Sequence, residues 1–376
     1  MTSHLDQRKL TYASVGVNRA LRDSSRRSIE TELSASSRTY RFGRAITLPF
    51  GLIYPSPTDK EVLYDLQIEG IGTKTLLAEI SEDYSSIGID AVAMVVNDVI
   101  RSGAIPFLLS DAIHISKSEP SVTSKLVEGV INGAKQAGCV LASGETGDVP
   151  EILHSPLGGA PPFDMMVSAV GFVPKKNVIS GDVSSGDAII GLESSGIHSN
   201  GVTLARKILL EKWGGRYDPW DKPEHLDRPL IEELLEPTRI YANAISKTRD
   251  QVKIKAAVHI TGDGFGKFRR LIDWAQTRRK RPIGFKFRDL GQTPSIFRLI
   301  YDTAKEVGRP LSSREMFRTF NMGFGFAVVV DRQDEEEALD RLNKHCRAIR
   351  IGEVTRETTI TIEDSHFEHR RLILDK

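Results

Sequence analysis

The chain has 376 residues, with 51 Lys and Arg against 50 Asp and Glu. At ~150 residues per domain, that length predicts two or three domains, enough to bury a core without disulfide staples. The charge balance excludes a histone-like or tail-driven nucleic-acid binder, and 40% hydrophobic residues exclude a chain disordered throughout.

Cys139 and Cys346 stand far apart, in no CxxC pair and no Cys/His cluster. They predict no structural zinc and a reducing, cytoplasmic setting. The longest apolar stretches, such as 91–96, fall short of the ~18–20 residues that a membrane span needs. The first residues lack the basic and apolar regions of a secretory signal.

Residues 1–40 are polar and rich in Ser and Arg. They read as a solvated extension or as an arm that orders over a ligand. Regular structure begins near Glu61, with a strand over 62–68. The apolar run 91–101 ends at Gly103, a natural helix stop. A short buried strand is predicted at 106–111. Val122, Leu126, Val130 and Ala134 share one face of a helix over 122–137. A buried strand at 139–142 then leads into a loop at 143–148, and another strand spans 165–173. The domain boundary is placed at 174/175. Beyond it come strands at 187–192, 256–260 and 324–330, with helices at 201–213 and 334–346. The alternation in both halves predicts α/β or α+β architecture. The basic run 278–281 reads as the solvated end of a helix, where cations oppose the dipole favourably.

Five polar turns carry the candidate chemistry. In Glu69-Gly70-Ile71-Gly72-Thr73-Lys74, glycines let backbone amides approach an anion and the lysine adds a charge. The spacing is not that of a Walker loop. Asn97-Asp98 interrupts an apolar run, and a carboxylate there must be paired, bind a cation or face solvent. Asp90, eight residues earlier, shares roughly the same helix side. Ser143-Gly144-Glu145-Thr146-Gly147-Asp148 reads either as an ordinary acidic turn or as carboxylates suited to Mg²⁺ and phosphate. In Ser194-Ser195-Gly196-Ile197-His198-Ser199-Asn200-Gly201, Ser199 or Asn200 suits a helix N-cap, free amides suit an anion, and His198 suits proton transfer. His259-Ile260-Thr261-Gly262-Asp263-Gly264 again follows a strand.

In this order the segments resemble the phosphoribosylformylglycinamidine cyclo-ligase family, the aminoimidazole ribonucleotide synthetases. The resemblance runs from about Tyr12 to Gly352. It includes 70–74, 87–98, 138–146 and 194–201, then Glu-Pro-Thr-Arg-Ile-Tyr at 236–241, His-Ile-Thr-Gly at 259–262 and Thr-Phe-Asn-Met-Gly-Phe-Gly at 319–325. It implies a two-domain α/β fold with mixed sheets: an N-terminal ATP-binding domain over 41–174, whose strands pair across a homodimer, and a C-terminal α/β domain over 175–376. It also implies conversion of formylglycinamidine ribonucleotide and ATP to aminoimidazole ribonucleotide, ADP and phosphate, with no nucleic-acid or membrane partner.

Carried onto this chain, the resemblance implies ATP contacts at Gly70, Gly72, Thr73, Lys74, Asn97 and Gly144. It implies Mg²⁺ ligands at Glu69, Asp98 and Glu145, and substrate contacts at Ser199, Asn200, His259, Thr261 and Gly262. His198, Asp98 and Lys74 would be catalytic. The chain departs from the pattern at Glu69, where relatives commonly have Asp, and at Asp263, which replaces a glycine. It departs again at 12–18, where the usual lysine and carboxylates are missing, and Arg44 is a candidate substitute cation. Alternatives are a formylglycinamidine ribonucleotide synthetase-like enzyme, a small-molecule kinase, and a non-catalytic nucleotide-binding paralogue. Selenophosphate synthetase would want a reactive Cys in the arm, and none precedes Cys139.

Overall fold

The computed structural model describes Thr11, Ser14, Gly16, residues 18–363, Phe367 and residues 371–374. A six-stranded sheet is built from β1 (Ile46–Leu48), β2 (Gly51–Pro55), β3 (Val62–Gly70), β4 (Ile105–Ile115), β5 (Val140–Asp148) and β6 (Phe163–Pro174). Its order is β1-β2-β3-β6-β4-β5. Only β4 and β5 run parallel, joined through the helix Pro120–Ala137.

One face of this sheet packs under the helices Ser85–Val99 and Pro120–Ala137. The two helices nearly touch: a Cβ on Gly88 would lie 2.2 Å from the Leu126 carbonyl oxygen, and one on Gly129 would lie 2.1 Å from that of Ser85. The opposite face keeps an apolar row. Leu66, Val170, Leu108 and Val140 are register neighbours across β3, β6, β4 and β5. Leu66 is 64% exposed and Val140 55%.

The second sheet contains β7 (Ala188–Glu193), β8 (Ile254–His259), β9 (Gly284–Phe287), β10 (Phe324–Val330), β11 (Ala348–Thr355), β12 (Ile360–Glu363) and β13 (Arg371–Ile373). Its order is β13-β12-β9-β11-β7-β10-β8. The run Phe324–Val330 is buried along its whole length, as a strand paired on both sides and covered on both faces requires.

Several expectations change in three dimensions. The acidic segment 143–148 is not a loop but the end of β5, and β5 is largely exposed rather than buried. The reason is its edge position: β4 is its one strand neighbour. The helix expected from 91 begins at Ser85. The helix after the His198 turn is capped by Gly201, in the left-handed region at φ 81°, and neither Ser199 nor Asn200 caps it. Within the arm, Arg19–Ser37 is a helix, with Asn18 accepting from the Leu21 amide at 3.2 Å. Tyr12, Ala13, Val15 and Val17 of the altered arm motif lie outside the described residues. The basic run does close a helix, Arg269–Arg279.

Candidate active site at the domain seam

The helix Ser85–Val99 is buried almost throughout, and its polar residues reach into the second domain. Asp90 is the first. Its Oδ1 accepts from the Thr238 amide at 2.8 Å, from Thr238 Oγ1 at 2.5 Å and from Ser199 Oγ at 3.0 Å. Its Oδ2 lies 2.5 Å from Lys74 Nζ, and both side chains are fully buried. Lys74 Nζ also donates to the Glu236 carbonyl at 2.9 Å. One carboxylate thus ties the glycine turn at 70–74 to two segments of the other domain. Asn97 adds a second tie, donating to the Arg239 carbonyl at 2.8 Å and accepting from the Tyr241 amide at 2.9 Å.

Asp98 forms the other centre. Oδ1 pairs with His259 Nδ1 at 2.7 Å, and Oδ2 with Arg101 Nη2 at 2.7 Å. Burial raises the pKa of Asp98, but the Arg101 charge and the His259 bond outweigh it and hold the carboxyl below its usual range. Burial pushes His259 down to about 4, although the Asp98 bond opposes the shift. His259 is therefore neutral at pH 7. Its Nδ1–H donates to Asp98, and its Nε2 lone pair is buried without a hydrogen-bond partner.

Glu69 projects from β3 toward the same centre. Burial, and then the negative charge of Asp98, push its carboxyl up to about 7. Asp65, two positions apart from Gln67 on the same strand, rises to about 6 through burial. Lys267, from the turn Gly264–Phe268, lies within electrostatic reach of Asp98 and Glu69, and burial lowers its pKa. Two carboxylates that repel each other suit a divalent cation that completes its shell with phosphate oxygens. Glu145 does not join them. It is exposed on β5, and β5 stands three strands from β3, about 14 Å at ~4.8 Å per strand. Among the described residues, no group of three or more His, Cys, Asp and Glu is placed to hold a metal. The three-carboxylate set is thus not assembled within one chain.

His198 sits in the left-handed region at φ 62° and is 2% exposed. Nε2 accepts from the amides of Ser195 at 3.2 Å and Arg239 at 3.5 Å, which puts the proton on Nδ1. Burial holds its pKa well below the usual value, aided by His259, Lys74 and Arg239. A Cβ on Gly325 would lie 2.3 Å from both His198 Cε1 and Tyr241 Oη, so β10 needs glycine there. Asn321 clamps the same turn: Nδ2 donates to the Gly196 and Ile197 carbonyls at 2.9 and 3.2 Å.

The other predicted residues divide by exposure. Gly72 and Thr73 are exposed, with Thr73 Oγ1 2.6 Å from Thr203 Oγ1. Gly70 ends β3. Gly144 is exposed on β5, where Asp111 Oδ1 lies 2.0 Å from the place of a Cβ. Thr261 is buried, while Gly262 and Asn200 are half-buried. Lys74 and Asn97 have their polar atoms committed between domains, so neither presents a free group to a phosphate. Asp263 faces Arg318 at 3.4 Å, and Arg44 is exposed. Sequence reasoning missed Arg101, Lys267, Thr238 and the role of Asp90. A signal existed: 90, 98 and 101 share one helical face, so three charged residues recur within an apolar run.

Residues 56–173 match the family model for the N-terminal domain of AIR synthase related proteins, and 184–267 with 294–365 match that for the C-terminal domain. The phosphoribosylformylglycinamidine cyclo-ligase of Thermococcus kodakarensis is 37% identical over 369 residues, covering 94% of this chain and 98% of its own. That of Bacillus cereus is 38% identical over 286 residues, covering 75% and 77%. Among solved structures, hydrogenase maturation protein HypE aligns with a TM-score of 0.59 at 16% identity, over 90% of this chain and 92% of that one. PurL of Thermotoga maritima, complexed with AMPPCP, aligns with a TM-score of 0.55 at 14% identity, over 86% of this chain and 45% of that one. At such identities these structures speak for the fold alone. The sequence relatives speak for more: the chain belongs to the AIR synthase related family, among the phosphoribosylformylglycinamidine cyclo-ligases.

Proposed function

We propose that the chain catalyses ATP-dependent ring closure of formylglycinamidine ribonucleotide to aminoimidazole ribonucleotide, with release of ADP and phosphate. The observation that carries this reading is the Glu69–Asp98–His259 centre, set where the glycine turn of one domain meets the second domain. An amide oxygen is a poor leaving group. Transfer of the γ-phosphoryl group to the formyl oxygen turns it into a good one. The amidine nitrogen then attacks the activated carbon, the C–O bond breaks and phosphate leaves. Such chemistry asks the protein for positioning and charge neutralisation.

The exposed Gly72–Thr73 turn offers main-chain amides to phosphate oxygens. Glu69 and Asp98 would hold Mg²⁺, which supplies charge neutralisation at the phosphates when bound. Arg101 and His259 fix the Asp98 carboxylate in that position. His198, neutral and held by two amides, orders the turn at 194–201 that would face the ribonucleotide with Ser199, Asn200, Thr261 and Gly262.

The apolar row Leu66–Val170–Leu108–Val140 supports a homodimer formed through the N-terminal sheet, since a contiguous exposed apolar face marks an interface. Glu145, on the edge strand of that sheet, lies toward the interface rather than toward its own Asp98. No helix among the described residues is long and apolar enough to cross a membrane, and the two thiols support a cytoplasmic setting.

The test is ADP release by pure, folded protein with Mg²⁺ and ATP. Formylglycinamidine ribonucleotide should stimulate it strongly. Equal ADP with and without that substrate would remove the assignment and favour a different nucleotide-dependent activity.

A further inference from the structure

A cleft of about 570 Å³ opens at the domain seam, outside the Glu69–Asp98–His259 centre. It lies among the helices Ser85–Val99, Pro120–Ala137 and Ala242–Arg249, and Ile89, Gln136 and Asn243 reach it from them in turn. Its volume falls within the roughly 300–1,000 Å³ of small-molecule sites, and the Glu69–Asp98–His259 centre contributes no residue to it.

Arg239 lines the cleft. Its main chain is fixed, with the amide on His198 Nε2 and the carbonyl on Asn97. The residue is half-buried, and its Nε is buried with no hydrogen-bond partner. A buried guanidinium N–H without an acceptor is costly, and a phosphate or carboxylate is the group its planar fork fits. The surroundings add positive charge. His345 also lines the cleft, and Lys247 and Lys344 both act on it electrostatically. The acidic lining residue, Glu236, is already paired with Arg228 at 2.5 Å. Ile89, Pro237, Ile240 and Ala244 give the cleft an apolar wall.

We propose that this cleft binds a phosphomonoester carrying a planar or apolar ring, with nucleoside monophosphates as the class that fits. The phosphate sits on the Arg239 guanidinium, toward His345, and the ring lies against the apolar wall. The volume is too large for inorganic phosphate alone, and the wall has no use for it. The occupant would rest one peptide from the histidine turn, because the amides of Ser195 and Arg239 both point at His198. The site shares no side chain with Glu69, Asp98 or His259, so it stands or falls separately from the reaction assigned to them.

Cys346 lines the cleft and Cys139 does not, which gives a reporter and an internal reference in the full chain. Burial pushes their thiols up to about 11 and about 12 respectively, so both alkylate slowly. Iodoacetamide labelling at alkaline pH, followed by mass spectrometry, measures both rates. AMP at about ten times its Kd should slow labelling of Cys346 about tenfold, as occupancy by mass action requires, and leave Cys139 unchanged. Adenosine, without the phosphate, should not protect. Arg239→Met should abolish protection by AMP. If that variant fails to fold, His345→Glu, at an exposed position, should weaken protection several-fold by placing a negative charge beside the phosphate. Unprotected Cys346 in the presence of AMP would overturn the proposal, as would protection by adenosine equal to that by AMP. Full protection surviving in Arg239→Met, or in His345→Glu where it stands in, would overturn it as well.

Discussion

Two carboxylates face each other at the domain seam, and their neighbours set them apart. Asp98 has a guanidinium and an imidazole N–H on its oxygens, so it stays ionised. Glu69 has burial and the charge of Asp98 against it, so its folded pKa is about 7 rather than 4.5. The folded state therefore binds this proton more tightly than the unfolded chain. Between those two values stability falls as pH rises, and above the upper one the loss is complete. His259 acts in the opposite sense. Its pKa drops from 6.5 to about 4, so the unfolded chain takes up the proton first as pH falls, and stability is lost across that window. Glu69→Gln should therefore melt higher than the parent chain at pH values above the Glu69 transition, in metal-free buffer, and gain least in acid. Calorimetry across pH measures this. A melting difference that does not change with pH would mean that Glu69 is not strained by Asp98.

At the scale of elements, the buried Lys74–Asp90 pair couples the turn at 70–74 to the 236–241 segment and to Ser199. Removing one partner strands the other charge, at a cost of about 3–5 kcal/mol, whereas replacing both with apolar residues of similar size is often close to neutral. Lys74→Met and Asp90→Leu should each lower the melting temperature sharply, and the double variant should recover much of the loss. Its turnover should stay low, because Thr238 and Ser199 have lost the oxygen that set their positions. Thermal melts and steady-state kinetics on the three variants separate the two effects. Parent-level turnover in a refolded double variant would reduce the pair to a purely structural one.

For the whole molecule, the apolar row on the outer face of the N-terminal sheet is the face proposed to carry the assembly. Leu66 and Ile68 are more than half exposed on β3, and Tyr64, Phe107 and Phe172 continue the surface as an aromatic cluster, with ring centroids 5.7–6.5 Å apart. Leu66→Glu points out of the fold, so it should leave the monomer folded while placing a charge in the interface. Light scattering should show a dimer for the parent chain and a monomer for the variant, with circular dichroism unchanged. A monomeric parent chain would leave this face without the partner assigned to it.

Sequence alone carried the elements whose pattern is local. The helix expected over 122–137, the strands at 62–68 and 165–173 and the apolar strand at 324–330 were legible because period and stop residues reveal them. The order of the glycine turns also identified the family. What sequence could not supply is where side chains meet. Asp90 and Asp98 look alike on one helix, yet one closes a domain latch and the other holds His259, because different segments from far along the chain arrive beside them. Lys74 reads as a phosphate ligand and is instead sealed against Asp90. Glu145 reads as a companion of Asp98 and lies strands away, since β5 is added at the far edge of the sheet. Each outcome depends on long-range pairing that no local spacing records, and the desolvation that shifts Glu69 and His259 exists only once that pairing is made.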